Sequence, residues 1–279
     1  WTLPGNVAIS IHPEFDYQLV QFGDENYVMA KEMVDNVISD CGLPADYQVL
    51  GQWKGQELEH LICQHPFLNR DSVVIVGEHV TLEAGSGCVH TAPGHGMDDF
   101  IVCQKYDLPI ISPLDNQGRL TAEAGQFAGL STDEANKAIC QWLDENGYLL
   151  KLKFIKHQYP HCWRCKNPTL FRATEQWFAS IDGFRQNALD EIDKVKFFPS
   201  WGHDRIYNMV ADRGDWCISR QRTWGVPIPI FYCADCNEPI INDATISRIQ
   251  ALFREHGSDI WFAKEAAELI PEGLTCPKC

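Results

Sequence analysis

The sequence predicts an α+β protein whose larger part is a β-rich, barrel-like body with a few packed helices, and three features carry that expectation. Short strand-like runs recur at turn-separated intervals between residues 8 and 82. One long amphipathic pattern, Ser131 to Asn146, stands out among the helical ones. Paired cysteines bracket residues 233–279, which read as a small separate module.

The elements follow in order. Within residues 1–28, AISIHP and YQLVQFG alternate apolar and polar residues between turn signals, the period of a strand. Met29 to Cys41 reads as a helix, with Met33, Val34, Val37, Ile38 and Cys41 at helical spacing and Gly42 to close it. Tyr47–Trp53, Leu61–Cys63, Ser72–Val76 and His79–Leu82 are strand candidates. Met97 to Tyr106 is helical in pattern. Ser131 with Glu134 makes a capping box for the long helix, Ala135, Ile139, Trp142 and Leu143 form its apolar stripe, and Gly147 ends it. Tyr148–Ile155 returns to strand. After Pro160 the composition turns aromatic and basic, with short elements at Glu191–Phe198 and Arg205–Val210.

Composition narrows the function classes. The chain has 279 residues, 45% of them hydrophobic and 22% charged, ordinary for a globular protein that buries a sizeable core. No apolar run approaches the roughly 18 residues of a membrane span, so no membrane association is expected. The start, WTLPGNVAISIHPEF, lacks an initiator Met and a signal-peptide pattern, and a fragment is expected. The net charge of −15 argues against a simple nucleic-acid binder. Its distribution is uneven: residues 1–150 carry −16, residues 151–222 carry +5 and residues 223–279 carry −4. The basic middle either steers a polyanion to one face or is an ordinary surface fluctuation. Of the 12 cysteines, six fall in Cys-x-x-Cys pairs. In a chain without an export signal this favours reduced, metal-binding thiols and a cytoplasmic location.

Cys233-x-x-Cys236 and Cys276-x-x-Cys279 supply the four thiolates of a closed tetrahedral zinc site. Such a site has no open position, so its zinc is structural. Cys162-x-x-Cys165 is a third pair. It is expected to be half of a second site, completed by His157 and His161 as nitrogen donors or by a partner pair upstream of Trp1, or else two reduced cysteines beside Trp163. The run GSGCVHTAPGHGMDDF, Gly85 to Phe100, packs two glycine turns, His90, His95, Asp98 and Asp99 between a strand and a helix start. His90, His95 and Asp99 admit a two-His, one-carboxylate metal triad. Asp98 and Asp99 admit a plain role in a helix first turn, or one of them pairs with a ligand ammonium. Composition does not choose. In DWCISRQRTWGVPIPIFYC, Arg220 and Arg222 lie among aromatics, a pattern for phosphate contacts or for a buried ion-paired linker. No glycine-rich phosphate loop and no serine triad are present.

WTLPGNVAISIHPEF, GSGCVHTAPGHGMDDF, YPHCWRCKNPTLFRATEQWF and DWCISRQRTWGVPIPIFYC, in that order, resemble isoleucyl-tRNA synthetase of the class I family. The loop Pro93–Gly96 is PGHG, where valyl- and leucyl-type relatives usually carry a PAHD-like run. The resemblance implies an editing domain over residues 1–175. It implies a connection back into a partial Rossmann-type catalytic core over 176–232, then a zinc-ribbon-like module over 233–279. It implies that Asp99 binds the α-ammonium of a misattached amino acid and that His90 shapes a side-chain pocket that excludes isoleucine. Trp1, Tyr159, Gly94 and His95 would line or shape that pocket, and Thr2 would end a threonine-rich strand that places substrate and water. The expected activity is hydrolysis of Val-tRNA(Ile) by a positioned water, the partners being tRNA(Ile) and its valine or isoleucine ester, in a monomer. The HIGH-like and KMSKS-like signatures are missing from the sequence. ATP and Mg2+ are therefore expected to serve only the full-length parent, an isoleucine–tRNA ligase.

Overall fold

The alternating runs of the first 91 residues become seven strands that sort into two sheets. The computed structural model describes every residue except 155, 157 and 221–224. It resolves two compact units, Trp1–Thr174 and Glu175–Cys279. The first holds β1 (Ala8–Ile11), β2 (Asp16–Phe22), β3 (Glu25–Ala30), β4 (Gln48–Lys54), β5 (Ile62–Gln64), β6 (Asp71–Val76) and β7 (Val89–Thr91). One sheet runs β5-β6-β1-β7 and the other β3-β2-β4. β1 lies parallel to β6, with Ala8 opposite Val73, and antiparallel to β7, with Ile9 opposite His90. The body is mixed α/β with open sheets. A closed barrel is not formed among the described residues, because β5 and β7 remain edges of one sheet and β3 and β4 of the other.

Three helices follow in this unit, α1 (Val34–Cys41), α2 (Met97–Lys105) and α3 (Thr132–Glu145); the first two pack on the strands, and α3 packs on the segment 114–127. α1 buries Val34 and Val37 with Tyr17, Val20, Met29 and Val74. α2 sets Val102 and Cys103 against Val7, Ala8 and Ile75. α3 buries Ala135 and Ile139 against Leu114, Leu120 and Phe127. Its capping box is formed, Glu134 N–H donating to Ser131 Oγ and Glu134 Oε2 accepting from Ser131 N–H.

Several elements differ from their sequence reading. Met29 and Ala30 end β3, paired with Gln18 and Tyr17, and the helical turn starts only at Lys31. His79–Leu82 is not a strand: Gly77 N–H closes onto Ile11 O, Val80 N–H turns back to Gly77 O, and the chain leaves the sheet. The alternation in Tyr148–Phe154 finds no neighbouring strand among the described residues, and Leu150, Leu152 and Phe154 stay exposed; Ile155 lies outside the described residues.

In the second unit, Arg205–Val210 lies within a longer helix, α5 (Trp201–Ala211), whereas Glu191–Phe198 divides: Glu191–Lys194 is the last turn of α4 (Asp182–Lys194), and the chain is extended at Val195. Arg185 Nη1 on α4 donates to the carbonyls of Val210, Ala211 and Arg213, placing a cation on the C-terminal end of α5. The strand pairs here, β8 (Phe178–Ala179) with β9 (Trp216–Cys217) and β10 (Phe231–Tyr232) with β11 (Pro239–Ile240), are two residues long and antiparallel. Among the described residues this unit therefore shows no parallel, Rossmann-type sheet. α6 (Asp243–His256) packs Ile249 and Leu252 against Phe231, Ile240 and Leu269. No described helix is long and apolar enough to cross a membrane.

Candidate functional site

The last strand of the first sheet delivers His90 to the start of the chain. The turn Leu3–Gly5 holds Thr2 there, and two side chains from a distant segment fasten the turn: His65 Nε2 donates to Leu3 O at 2.9 Å and Arg70 Nη2 to Pro4 O. Thr2 Oγ1 then lies 3.0 Å from His90 Nε2, and Asn6 Nδ2 lies 2.8 Å from His90 Nδ1.

Asn6 decides the tautomer. It is 4% exposed, its Oδ1 accepts from Ser72 Oγ, and its Nδ2 donates to Ala8 O at 2.8 Å. The amide nitrogen therefore faces His90 as a donor, so Nδ1 must accept and the ring proton must sit on Nε2. From there it is donated to Thr2 Oγ1, which keeps its own O–H for another acceptor. Crowding by protein atoms pushes His90 down to about 4, so the ring is neutral near pH 7, although one side of it stays open to solvent. Both ring nitrogens are committed, and His90 has no lone pair left to act as a general base.

His95 and Asp99 occupy the same loop. His95 Nδ1 donates to Phe171 O at 3.0 Å, Ala173 N–H donates to Gly94 O at 2.7 Å, and the Trp1 ring meets His95 edge-on at 4.7 Å. A Cβ on the buried Gly94 would stand 2.2 Å from Ile111 O, so only glycine lets the loop approach that segment. Tyr159 reaches the loop indirectly, its ring 6.4 Å from Phe171 and its hydroxyl on Thr169 O. Asp99 is the third residue of α2. Its Oδ2 accepts from Ala92 N–H at 2.7 Å, and burial pushes its carboxyl up.

The structure thus gathers Thr2, His90, Trp1, His95 and Gly94, with Tyr159 one ring further out and Asp99 at the helix end of the loop. The two-His, one-carboxylate metal reading fails, because three of the four ring nitrogens of His90 and His95 are already hydrogen-bonded. Sequence reasoning missed Asn6, Ser72, His65 and Arg70; Asn6 had a signal only in its place in TLPGN beside Thr2. Asn6→Ala would strip partners from Ser72 Oγ and His90 Nδ1 together. We expect a loss of about 1–3 kcal/mol, from unsatisfied buried polar groups, read as a lower Tm. An unchanged Tm would show that the network is not formed.

The second unit brings the two C-terminal cysteine pairs together. Cys233 Sγ lies 3.6 Å from Cys279 Sγ, Cys236 Sγ 3.5 Å from Cys276 Sγ, and all four sulfurs fall within 4.8 Å of one another. A tetrahedral zinc with Zn–S near 2.3 Å needs sulfurs about 3.8 Å apart, so the donor set fits. Backbone N–H groups of Cys279 and Lys278 hold the Cys276 thiol below its ordinary range. Cys162–Cys165 repeats the turn of Cys233–Cys236. Cys162 N–H donates to Asn167 O and Lys166 N–H to Cys162 O, as Cys233 N–H does to Glu238 O and Asn237 N–H to Cys233 O. Lys166 and Asn237 share the left-handed φ, +62° and +55°. Among the described residues no further ligand joins Cys162 and Cys165. His161 Nδ1 is bonded to Lys166 O, and His157 lies outside the described residues. Arg220 is tied to the carbonyls of Cys217 and Ser219, and Arg222 also lies outside the described residues.

Residues 11–277 match the family model of tRNA synthetases class I (I, L, M and V). The chain belongs to the class I tRNA synthetase family. Within it, the chain is 66% identical over its whole length to the isoleucine–tRNA ligase of Moorella thermoacetica and 61% identical to that of Syntrophomonas wolfei, in each case over 30% of the relative. It spans about a third of the length of these curated relatives. Among solved structures it resembles that of GlLeuRS-CP1, with a TM-score of 0.43 and 14% identity over 56% of this chain and 81% of that one. The resemblance of this synthetase chain to isoleucyl-type members thus extends from end to end.

Proposed function

We propose that the chain carries the hydrolytic editing site of an isoleucine–tRNA ligase and removes valine esterified to tRNA(Ile). The observation that carries the reading is the fixed Asn6–His90–Thr2 chain of hydrogen bonds, on the loop that ends at Asp99. In this reading Asp99 takes the α-ammonium of the aminoacyl ester, Trp1, Tyr159, Gly94 and His95 bound the pocket, and neutral His90 sets its depth. Thr2, its oxygen engaged by His90, offers its hydroxyl proton to the ester carbonyl or to the attacking water. No nucleophile forms a covalent intermediate. Position supplies the rate, helped by a terminal ribose hydroxyl of the tRNA. A second pocket is needed because one methylene is worth only about 1–3 kcal/mol, a limit for which isoleucine against valine is the standard illustration.

The corresponding domains are 1–175 for editing, 176–232 for the connection to the catalytic core and 233–279 for a zinc-ribbon-like module. The Cys233, Cys236, Cys276 and Cys279 set would hold one structural zinc, with Cys162 and Cys165 as half of a second site. ATP and Mg2+ serve the ligase reaction of the full-length protein. Deacylation of Val-, Thr- and Ile-charged tRNA by this chain, and by a version extended upstream of Trp1, tests the reading. Selective loss of valine is expected. Preferential loss of threonine would mark a valyl-type site, and tRNA binding without hydrolysis in either version would leave a non-catalytic zinc module.

A further inference from the structure

The Cys162–Cys165 turn displays more than thiols. Residues 151–174 contain six Lys and Arg and no Asp or Glu, while residues 1–150 carry −16. At the tip of this basic stretch Trp163 is 74% exposed, a large apolar surface left open to water. The Arg164 guanidinium covers part of it, 4.7 Å from the ring centroid, and Lys166 Nζ donates to Trp163 O at 2.6 Å. The backbone beneath is braced. Besides the two turn bonds already described, Thr169 N–H donates to Pro160 O at 3.0 Å and His161 bridges to Pro168. The indole therefore stands out from a braced turn, with the Arg164 guanidinium on its ring and the Lys166 ammonium on its backbone carbonyl.

An exposed indole on a braced turn, with an arginine on its ring, is suited to stack a nucleobase, since every base offers a π-face, and nearby cations meet the adjoining phosphates. A polyanion is also the partner that complements a basic tip on an otherwise acidic unit. We propose that Trp163, Arg164 and Lys166 form a stacking platform for an unpaired nucleotide of an RNA strand. The base lies on the indole, and Arg164 and Lys166 meet the phosphates on either side. The proposal leans on the tRNA reading only for the source of the strand, a single-stranded end being what a tRNA offers.

The test is fluorescence anisotropy of the zinc-loaded chain with a labelled, uncharged single-stranded RNA and with a blunt duplex of equal length. Trp163→Ala is expected to weaken single-strand binding about tenfold, with Trp163→Phe largely restoring it, from the usual strength of base stacking on aromatics. Arg164→Gln should lower the salt dependence by about one phosphate contact. Equal affinities of the parent chain and Trp163→Ala, or equal affinity for duplex and single strand, would overturn the platform. Uncharged RNA reports binding alone. Loss of valine hydrolysis with Trp163-dependent binding would therefore sink the editing reading by itself, and the converse would sink the platform by itself.

Discussion

Asp99→Ala is expected to abolish deacylation of Val-tRNA(Ile), a loss on the order of 100-fold or more, because an ester displaced by an ångström no longer meets its water. The structure adds a complication. Asp99 Oδ2 receives the Ala92 N–H, and the carboxylate passes so close over Gly96 that a Cβ there would lie 3.2 Å from Asp99 Cγ. Part of its work is to fasten the loop to the first turn of α2, where an acid is also favoured by the helix dipole. The alanine variant therefore loses an anchor and a staple together, and its Tm should fall by a few degrees. Asp99→Asn separates the two roles. Its amide oxygen still accepts from Ala92, so Tm should stay near that of the parent, while the missing charge removes the ammonium partner and deacylation is still lost. Burial pushes the Asp99 carboxyl up, which is the state a bound ammonium would reverse. Retained hydrolysis in Asp99→Asn, with ordinary preference for valine, would reduce Asp99 to the staple.

Elements whose reasons are local were legible in the sequence. α3 announces itself through Ser131, Glu134 and a 3.6-residue stripe, and all of these signals lie within one window. The tyrosine of YQLVQFG is half local. Its place on β2 was legible, whereas its buried hydroxyl, which donates to Gly87 O at 2.7 Å and accepts from His12 N–H, answers to a segment 70 residues away. Asn6 was invisible for the same reason at greater cost. Its partners Ser72 and His90 are 66 and 84 residues distant, and only the β6-β1-β7 order brings them together. Periodicity also misled in two places. Tyr148–Phe154 alternates as a strand does but lacks a neighbour, and His79–Leu82 carries β-branched residues on a turn. A strand needs a partner, and a pattern does not supply one.

Removal of metal from the cysteine cluster is expected to unfold the C-terminal module. Its core is small: Phe231, Ile240, Ile249, Leu252 and Leu269 are the buried residues of the cluster, and the hairpin beneath them pairs only two residues from each strand. Such a core does not offset the conformational entropy of ordering so short a segment without a staple. Structural zinc contributes roughly 10–16 kcal/mol of apparent binding free energy in zinc-finger peptides, far more than a core of this size supplies. Four sulfurs already within 4.8 Å of one another, on turns braced by Glu238 O and the Lys278 N–H, are arranged to receive it. Strong chelation, or Cys233→Ser, should therefore release about one zinc per chain. It should also erase the near-ultraviolet signal of Trp261, whose ring packs 5.3 Å from Phe231, and cost the helix α6. Valine deacylation should survive, because Asp99, His90 and Thr2 all belong to the unit Trp1–Thr174. A chain purified with no zinc, yet with unchanged helix content and an unchanged Trp261 signal, would show that the thiols hold the module without a metal.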